Sequence, residues 1–286
     1  MLEVNGFTKT YPGATFKAAD NISFSVKEGE IFGLLGANGA GKSTTIKAIV
    51  GIHPIDTGTI TINGFDIVKD TLEAKRNMGY VSDTHAVFER LTGREYVNHI
   101  ANLYDVSSSD RKERAERYVS LFRLEKAFDD QIKSYSHGMK QKISVIAALV
   151  HDPKLWILDE PLTGLDPLSV WQLKNVIREH AIAGNAVVFS SHILDLVETL
   201  CHKVAIISGG KITGKYTLEV LRSENRKLED VFMDVLRNAD TAYEYEDANI
   251  DKEDDKNLII EKKEENTPPV DENSETQLSD KDGSSL

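Results

Sequence analysis

Between an apolar run (Ile31, Phe32, Leu34, Leu35) and a helix-like segment (Thr45 to Val50), the chain reads Gly36-Ala37-Asn38-Gly39-Ala40-Gly41-Lys42-Ser43-Thr44. Glycines at this spacing let the backbone curl until successive N–H groups point inward and cradle phosphate oxygens. The N-terminus of the following helix adds partial positive charge behind them. Lys42 can then reach the β- and γ-phosphates of a nucleotide, and the Ser43 hydroxyl can ligate Mg2+. A glycine-rich turn ahead of an ordinary helix is the plainer reading, and the strand–loop–helix setting argues against it.

A second set of chemistry-bearing residues closes an apolar run, Leu155-Trp156-Ile157-Leu158-Asp159-Glu160. A buried strand delivers its C-terminal end to the ligand crevice of an open α/β sheet. There Asp159 faces the Mg2+ directly or through water, and Glu160 polarises the water that attacks the γ-phosphate. Acid pairs are common at strand ends; Lys42 upstream in the same chain is what gives this one a function. His85, His99 and His151 have no metal-ligand spacing with cysteine or acids and read as surface or core residues.

The elements that must position these groups follow from periodicity. Leu2 to Thr10 and Ile22 to Val26 alternate as half-buried strands, Lys27 to Glu30 turns into the strand before the glycine loop, and Thr59 to Ile62 turns at Asn63-Gly64. From Thr92 to Phe122 the pattern is helical and charged, with a break at Asp105 to Asp110, and it is helical again from His137 to Val150. After the strand Leu155 to Leu158 come a helix (Leu168 to Ala183), a strand (Ala186 to Ser190), a short helix (Leu194 to Leu200) and paired strands around Val204 to Lys215. Apolar strands alternating with helices predict an α/β fold with a largely parallel sheet. The stretch from Asp83 to Tyr135, helical without strands, reads as an inserted lobe.

At 286 residues the chain is long enough for one large domain or two small ones. Cys201 is its single cysteine, so no disulfide forms within the chain, which fits a reducing compartment. No basic segment followed by an apolar stretch opens the sequence, and no run approaches the ~18 apolar residues of a membrane span. The formal charge of −12 is concentrated at one end. Residues 239–286 hold 8 Asp, 8 Glu and 5 Lys, a balance of −11. With few apolar residues beyond Leu258-Ile259-Ile260, this tail is expected to be disordered and to act as a solvating appendage. The remainder is nearly neutral, so overall charge gives no reason to expect a nucleic-acid partner.

Four further landmarks point to one family. Tyr135-Ser136-His137-Gly138-Met139-Lys140-Gln141-Lys142 resembles the signature motif of ABC ATPases, Gly164-Leu165-Asp166 their D-loop, Ser190-Ser191-His192 their switch-histidine motif, and Tyr11 the aromatic that stacks on adenine. With the glycine loop and the acid-tipped strand they fall in the family's order, and the chain resembles an ABC-transporter ATP-binding subunit over about residues 2–238.

The resemblance implies an α/β fold: a P-loop NTPase core with a parallel sheet, an antiparallel β subdomain and a helical signature-motif lobe at about 84–150. The ATPase domain would then span 1–238, with the acidic tail at 239–286. It implies ATP as ligand, contacted by Tyr11, Gly36, Ala37, Asn38, Gly39, Ala40, Gly41, Lys42, Ser43, Thr44, Asp83, Ser136, Gly138, Asp159 and Asp166. Mg2+ would be held by Ser43, Asp83 and Asp159, and catalysis would fall to Glu160 and His192. Two subunits, identical or homologous, would pair head to tail, because the helix starting near Ser136 offers its N-terminus to the γ-phosphate held by the opposite subunit.

A separate integral-membrane permease is the implied partner, docked beside Asp83 and the segment from Ala86 to Tyr96. The protein would then be peripheral on the cytoplasmic face of the membrane. The segment ending in Leu228-Glu229-Asp230-Val231-Phe232 resembles bacterial exporters of the multidrug, antibiotic or bacteriocin-immunity kind. The rival, a soluble ABC ATPase acting on ribosomes or DNA, fits less well: the chain has one cassette, and the interval between the two ATP half-motifs is short for a coiled-coil insertion. Three departures from the family pattern stand out. His137 replaces the first signature glycine, Met139 the usual glutamine, and Asp83 the glutamine that follows Gly79-Tyr80-Val81.

Overall fold

Strands and α-helices are built around two sheets in a computed structural model that describes residues 1–84, 87–235 and 237, with a last helical stretch at 228–235. The expectations for His85, for Ala86 at the edge of the docking groove and for the acidic tail at 239–286 lie outside the described residues. In chain order the elements are β1 (Leu2–Thr10), β2 (Lys17–Val26), β3 (Ile31–Leu35), α1 (Lys42–Ile49), β4 (Thr57–Ile62), β5 (Phe65–Asp66), α2 (Thr71–Arg76) and β6 (Met78–Val81). They continue through α3 (Gly93–Leu103), α4 (Ser108–Leu121), α5 (His137–Leu149), β7 (Leu155–Asp159), α6 (Pro167–Ile182), β8 (Ala186–Ser191), α7 (Leu194–Leu200), β9 (Lys203–Ser208), β10 (Lys211–Thr217) and α8 (Leu218–Ser223).

The larger sheet runs β10-β9-β3-β8-β7-β6. Its neighbours from β9 to β6 are parallel, and β10 turns back antiparallel on β9. The smaller sheet, β2-β1-β4-β5, is antiparallel throughout. Each central strand of the larger sheet is buried on both faces, which explains why β7 and β8 are apolar without alternation. Leu155 and Ile157 of β7 pack with β1, β2, β4 and α1, whereas Trp156 and Leu158 pack on the other side with α5, α6 and α7. The strand's period of 2 is therefore present, but it sorts residues between two cores rather than between core and water.

Local chemistry sets several boundaries. Thr92 closes a capping box with Glu95 at the start of α3, Ser136 caps α5, and Asp166 caps α6 ahead of Pro167. α1 begins at Lys42 rather than near Thr45, so Lys42 and Ser43 occupy its first turn. β2 starts earlier than its alternation indicates. β5, α2 and β6 are elements that the periodicity did not reveal: β5 is only two residues long, and α2 only six. α3 and α4 both pack against α5, which leads directly into the segment before β7.

Trp156 has no exposed surface and meets the His180 ring edge-on at 5.6 Å. Its indole N–H has no hydrogen-bond partner among the described residues. Trp156→Ala should therefore cost about 3–5 kcal/mol, and Trp156→Phe, which deletes only the unpaired polar edge and some volume, roughly 1.5 kcal/mol or less. Denaturant midpoints of the two variants measure the difference.

Candidate active site

The chain leaves β3 through Gly36 and re-enters regular structure at Lys42. Two glycines in this turn are dictated by space. A side chain on Gly36 would collide with the Ile207 carbonyl of β9, and one on Gly41 with the Ala18 carbonyl of β2. Gly41 also sits at φ +107°, a backbone region that L side chains rarely adopt. The loop is thus clamped between strands of both sheets, with the N-terminus of α1 facing into it.

Lys42 is 5 % exposed. Its ammonium donates to the carbonyls of Gly36 (2.8 Å) and Ala37 (3.1 Å) and stands 3.5 Å from Oε1 of Glu160. The side chain therefore spans from the loop to the tip of β7. Ser43 Oγ donates to Asp159 Oδ1 at 3.1 Å, and Ser190 Oγ donates to the same oxygen at 2.6 Å. Asp159 has no exposed surface. Burial raises its carboxyl above the ordinary carboxylate range; the Ser190 and Ser43 hydrogen bonds and the Lys47 charge oppose the rise, and Asp83 adds to it.

Glu160 follows in a left-handed conformation, φ +49°, which is uncommon for a residue with a long side chain. Two contacts hold it. Its N–H donates to Ser190 Oγ at 3.0 Å, and its Oε2 faces His192 Nδ1 at 3.1 Å. An ionised carboxylate only accepts, so this contact places a proton on Nδ1 of the imidazole. Ser190 belongs to the switch-histidine motif but is given no role by it: one hydroxyl donates to the Asp159 carboxylate and accepts from the Glu160 backbone. A hydroxyl closing an otherwise apolar strand was the available signal.

The other expected site residues divide by location. Tyr11 stands beside the end of the glycine loop, its hydroxyl 3.2 Å from Thr44 Oγ1 and its ring edge-on to His53 at 5.4 Å. Asp83 lies 3.9 Å from Lys47 of α1. Ser136, Gly138 and Asp166 form a separate group where α5 and α6 begin. Ser136 Oγ accepts from Met139 N–H at 3.3 Å, and a Cβ on Gly138 would stand 2.8 Å from the Gly164 carbonyl. Asp166 accepts from Ser169 N–H at 3.0 Å and from Lys142 at 3.1 Å; the Ser169 bonds first, then Lys142, hold its carboxyl well below the usual range. His99 meets Phe88 edge-on at 5.6 Å. His151 is stacked on Tyr104 and donates to the Met78 carbonyl, and burial lowers its pKa to about 4.

Among the described residues no group of three or more His, Cys, Asp or Glu could hold a metal ion unaided. A divalent ion here would have to complete its shell with phosphate oxygens and water. The donors fit Mg2+ on those terms, because Ser43, Asp83 and Asp159 offer only oxygen. Asp159 Oδ2 and Asp83 Oδ1 are buried without a hydrogen-bond partner among the described residues.

The arrangement combines a glycine loop shaped to take phosphate, a buried carboxylate suited to a metal ion and a second carboxylate placed to orient water. Comparison with known proteins agrees with that chemistry. A family model described as ABC transporter matches residues 19–163. The chain is 39% identical over 212 residues to the linearmycin resistance ATP-binding protein LnrL of Bacillus subtilis, covering 74% of this chain and 68% of that protein. It is 33% identical over 223 residues to the ABC transporter ATP-binding protein NatA of the same organism, covering 77% and 91%. A solved ATP-binding subunit of an ABC transporter superposes with TM-score 0.78 at 32% identity, over 82% of this chain and 99% of that one. A dimeric ATP-binding cassette bound to ADP and Pi shares the fold, with TM-score 0.70 at 23% identity over 76% and 99%.

Because Ser190 ties Asp159 to the Glu160 backbone, Ser190→Ala should lower nucleotide hydrolysis by about tenfold or more, in proportion to the placement that it removes. Nucleotide affinity, measured by equilibrium titration, should change far less, since Lys42 and the glycine loop are untouched.

Proposed function

The chain belongs to the ABC transporter family as an ATP-binding subunit and ATPase, and from that premise we propose that it hydrolyses MgATP within a head-to-tail pair of subunits to drive export through a separate membrane permease. One observation carries the catalytic part: the Glu160 carboxylate is held between Lys42 and His192, one residue beyond a buried Asp159 bonded to Ser43.

In this reading the backbone N–H groups of the glycine loop and the α1 N-terminus bind the β- and γ-phosphates, and Lys42 turns its ammonium to them. Glu160 accepts the proton of the attacking water while His192 orients its carboxylate. Ser43, Asp83 and Asp159 would hold Mg2+, which would supply positive charge against that of the phosphates. Tyr11 supplies the face for adenine. Ser136, Gly138 and Asp166 are grouped away from the glycine loop's own contacts, which supports the idea that they serve the nucleotide of a second subunit.

Transport is proposed to pass through another chain, docked on the groove beside Asp83. Among the described residues no helix is long and apolar enough to cross a membrane. The relative named for linearmycin resistance favours export over uptake. The ATPase domain is proposed to span 1–238, with 239–286 as an acidic appendage, and the subunit to sit on the cytoplasmic face of the membrane.

Glu160→Gln should abolish steady-state ATP hydrolysis with ATP binding retained, because the amide is nearly isosteric but a poor proton acceptor. Lys42→Ala should instead weaken nucleotide affinity itself. Near-normal turnover in the first variant removes Glu160 from its role, and unchanged affinity in the second removes the loop from its own. Affinity purification from membranes should recover an integral-membrane protein with the chain, and Asp83→Ala in that complex should lower transport more than ATP affinity. Recovery of ribosomes or DNA in its place would overturn the permease assignment.

A further inference from the structure

The backbone on the far side of Glu160 is held by a group that the mechanism above does not use. Gln141 lies in α5, five residues after Ser136, and has no exposed surface. Its side-chain amide N–H donates to the Pro161 carbonyl at 2.6 Å. A carbonyl only accepts, so the NH2 end of the amide must face it. The other end, Oε1, is buried without a hydrogen-bond partner among the described residues. A methionine would fill the same space without leaving a buried carbonyl oxygen unpaired, so packing does not explain why an amide stands here.

The location explains it better. Glu160 needs a left-handed backbone, and such a conformation persists only where its surroundings fix it. Upstream, the Glu160 N–H is fixed by Ser190 of β8. Downstream, Pro161 has no N–H, so its carbonyl is the next strong backbone group by which the corner can be gripped. Gln141 grips it. Further along the same segment, Lys142 holds Asp166 at 3.1 Å, so consecutive residues of α5 bind both ends of the stretch from Pro161 to Asp166.

We propose that Gln141 is a positioning residue for hydrolysis: through the Pro161 carbonyl it sets the orientation of Glu160 and makes that orientation depend on where α5, the helix that begins at Ser136, lies. A shift of α5 relative to the sheet would move the Pro161 carbonyl and, with it, the carboxylate. The inference rests on the assignment of Glu160 as the base, and the test separates the two.

Gln141→Met keeps the length and the buried volume and removes the donor. The expected result is a fall in kcat on the order of tenfold to a hundredfold, with the KM for MgATP, nucleotide affinity and thermal midpoint unchanged. The decisive arm is a double-mutant cycle. In single-turnover measurements, Gln141→Met should scarcely alter the residual rate of Glu160→Gln, because the group that it positions is already disabled. Equal losses in both backgrounds would show that Gln141 acts elsewhere and would overturn the proposal, as would an unchanged kcat. Should Gln141→Met fail to fold, Gln141→Asn, which withdraws the amide by one methylene, must give the same kcat loss and the same non-additivity, or the proposal fails. An active Glu160→Gln variant would instead overturn the base assignment, whatever the Gln141 variants do.

Discussion

One oxygen of Asp159 accepts hydrogen bonds from both Ser43 and Ser190. Three segments far apart in the chain meet there: the first turn of α1, the end of β7 and the end of β8. Asp159 and Ser190 are register partners across the parallel pair, so the second contact follows from strand pairing alone. The first requires β3 to lie on the other side of β8, so that the loop leaving it arches over the strand ends. Carboxylate burial opposes this arrangement, since a charge without exposed surface is poorly solvated. The two hydroxyls and the Lys47 charge offset part of that cost, and the unpaired second oxygen leaves room for an ionic partner.

The same meeting point controls Glu160. Its position beyond Asp159 would be of little use if the chain continued in extended form, because alternation would carry it to the opposite face of the strand. The turn to positive φ changes its direction, and Ser190, already engaged with Asp159, accepts the N–H that the turn presents. Lys42 then stands between loop carbonyls and the Glu160 carboxylate, and His192 bonds its other oxygen. An ammonium, a carboxylate and an imidazole are thus fixed side by side at the mouth of the sheet.

α5 is tied to the site from the far side of the molecule's larger sheet. Its N-terminal turn carries Ser136 and Gly138; its next turn reaches Pro161 and Asp166. His137, where the family usually has glycine, lies so close to Gly164 that a side chain at 164 would strike its ring. The His137 ring thus occupies the space beside Gly164 of the loop that it touches. Asp83, by contrast, is met by Lys47, and its shorter reach than glutamine is accompanied by a cation on α1.

The sequence by itself determined the chemistry and the class of fold. The glycine spacing, the Lys-Ser pair and the acid-tipped apolar strand point to phosphate and metal binding because each needs specific residue types at fixed separations along the chain. The strand–helix alternation indicated a parallel sheet, and the apolar run Leu155 to Leu158 indicated a buried strand. Short elements such as β5 and α2 were not legible, since two to six residues carry too little periodicity. Nor were the joints. Ser190 and Gln141 each act through a partner brought next to them by sheet order or by helix packing, 31 and 20 residues away in the chain. A buried helix amide has no sequence signature for such a role, and a hydroxyl at the end of an apolar strand does not name its partner. Only the tertiary structure decided that Ser190 would face Asp159 and that Gln141 would face Pro161, because a hydrogen bond depends on distance and direction in space, and neither is written in local spacing.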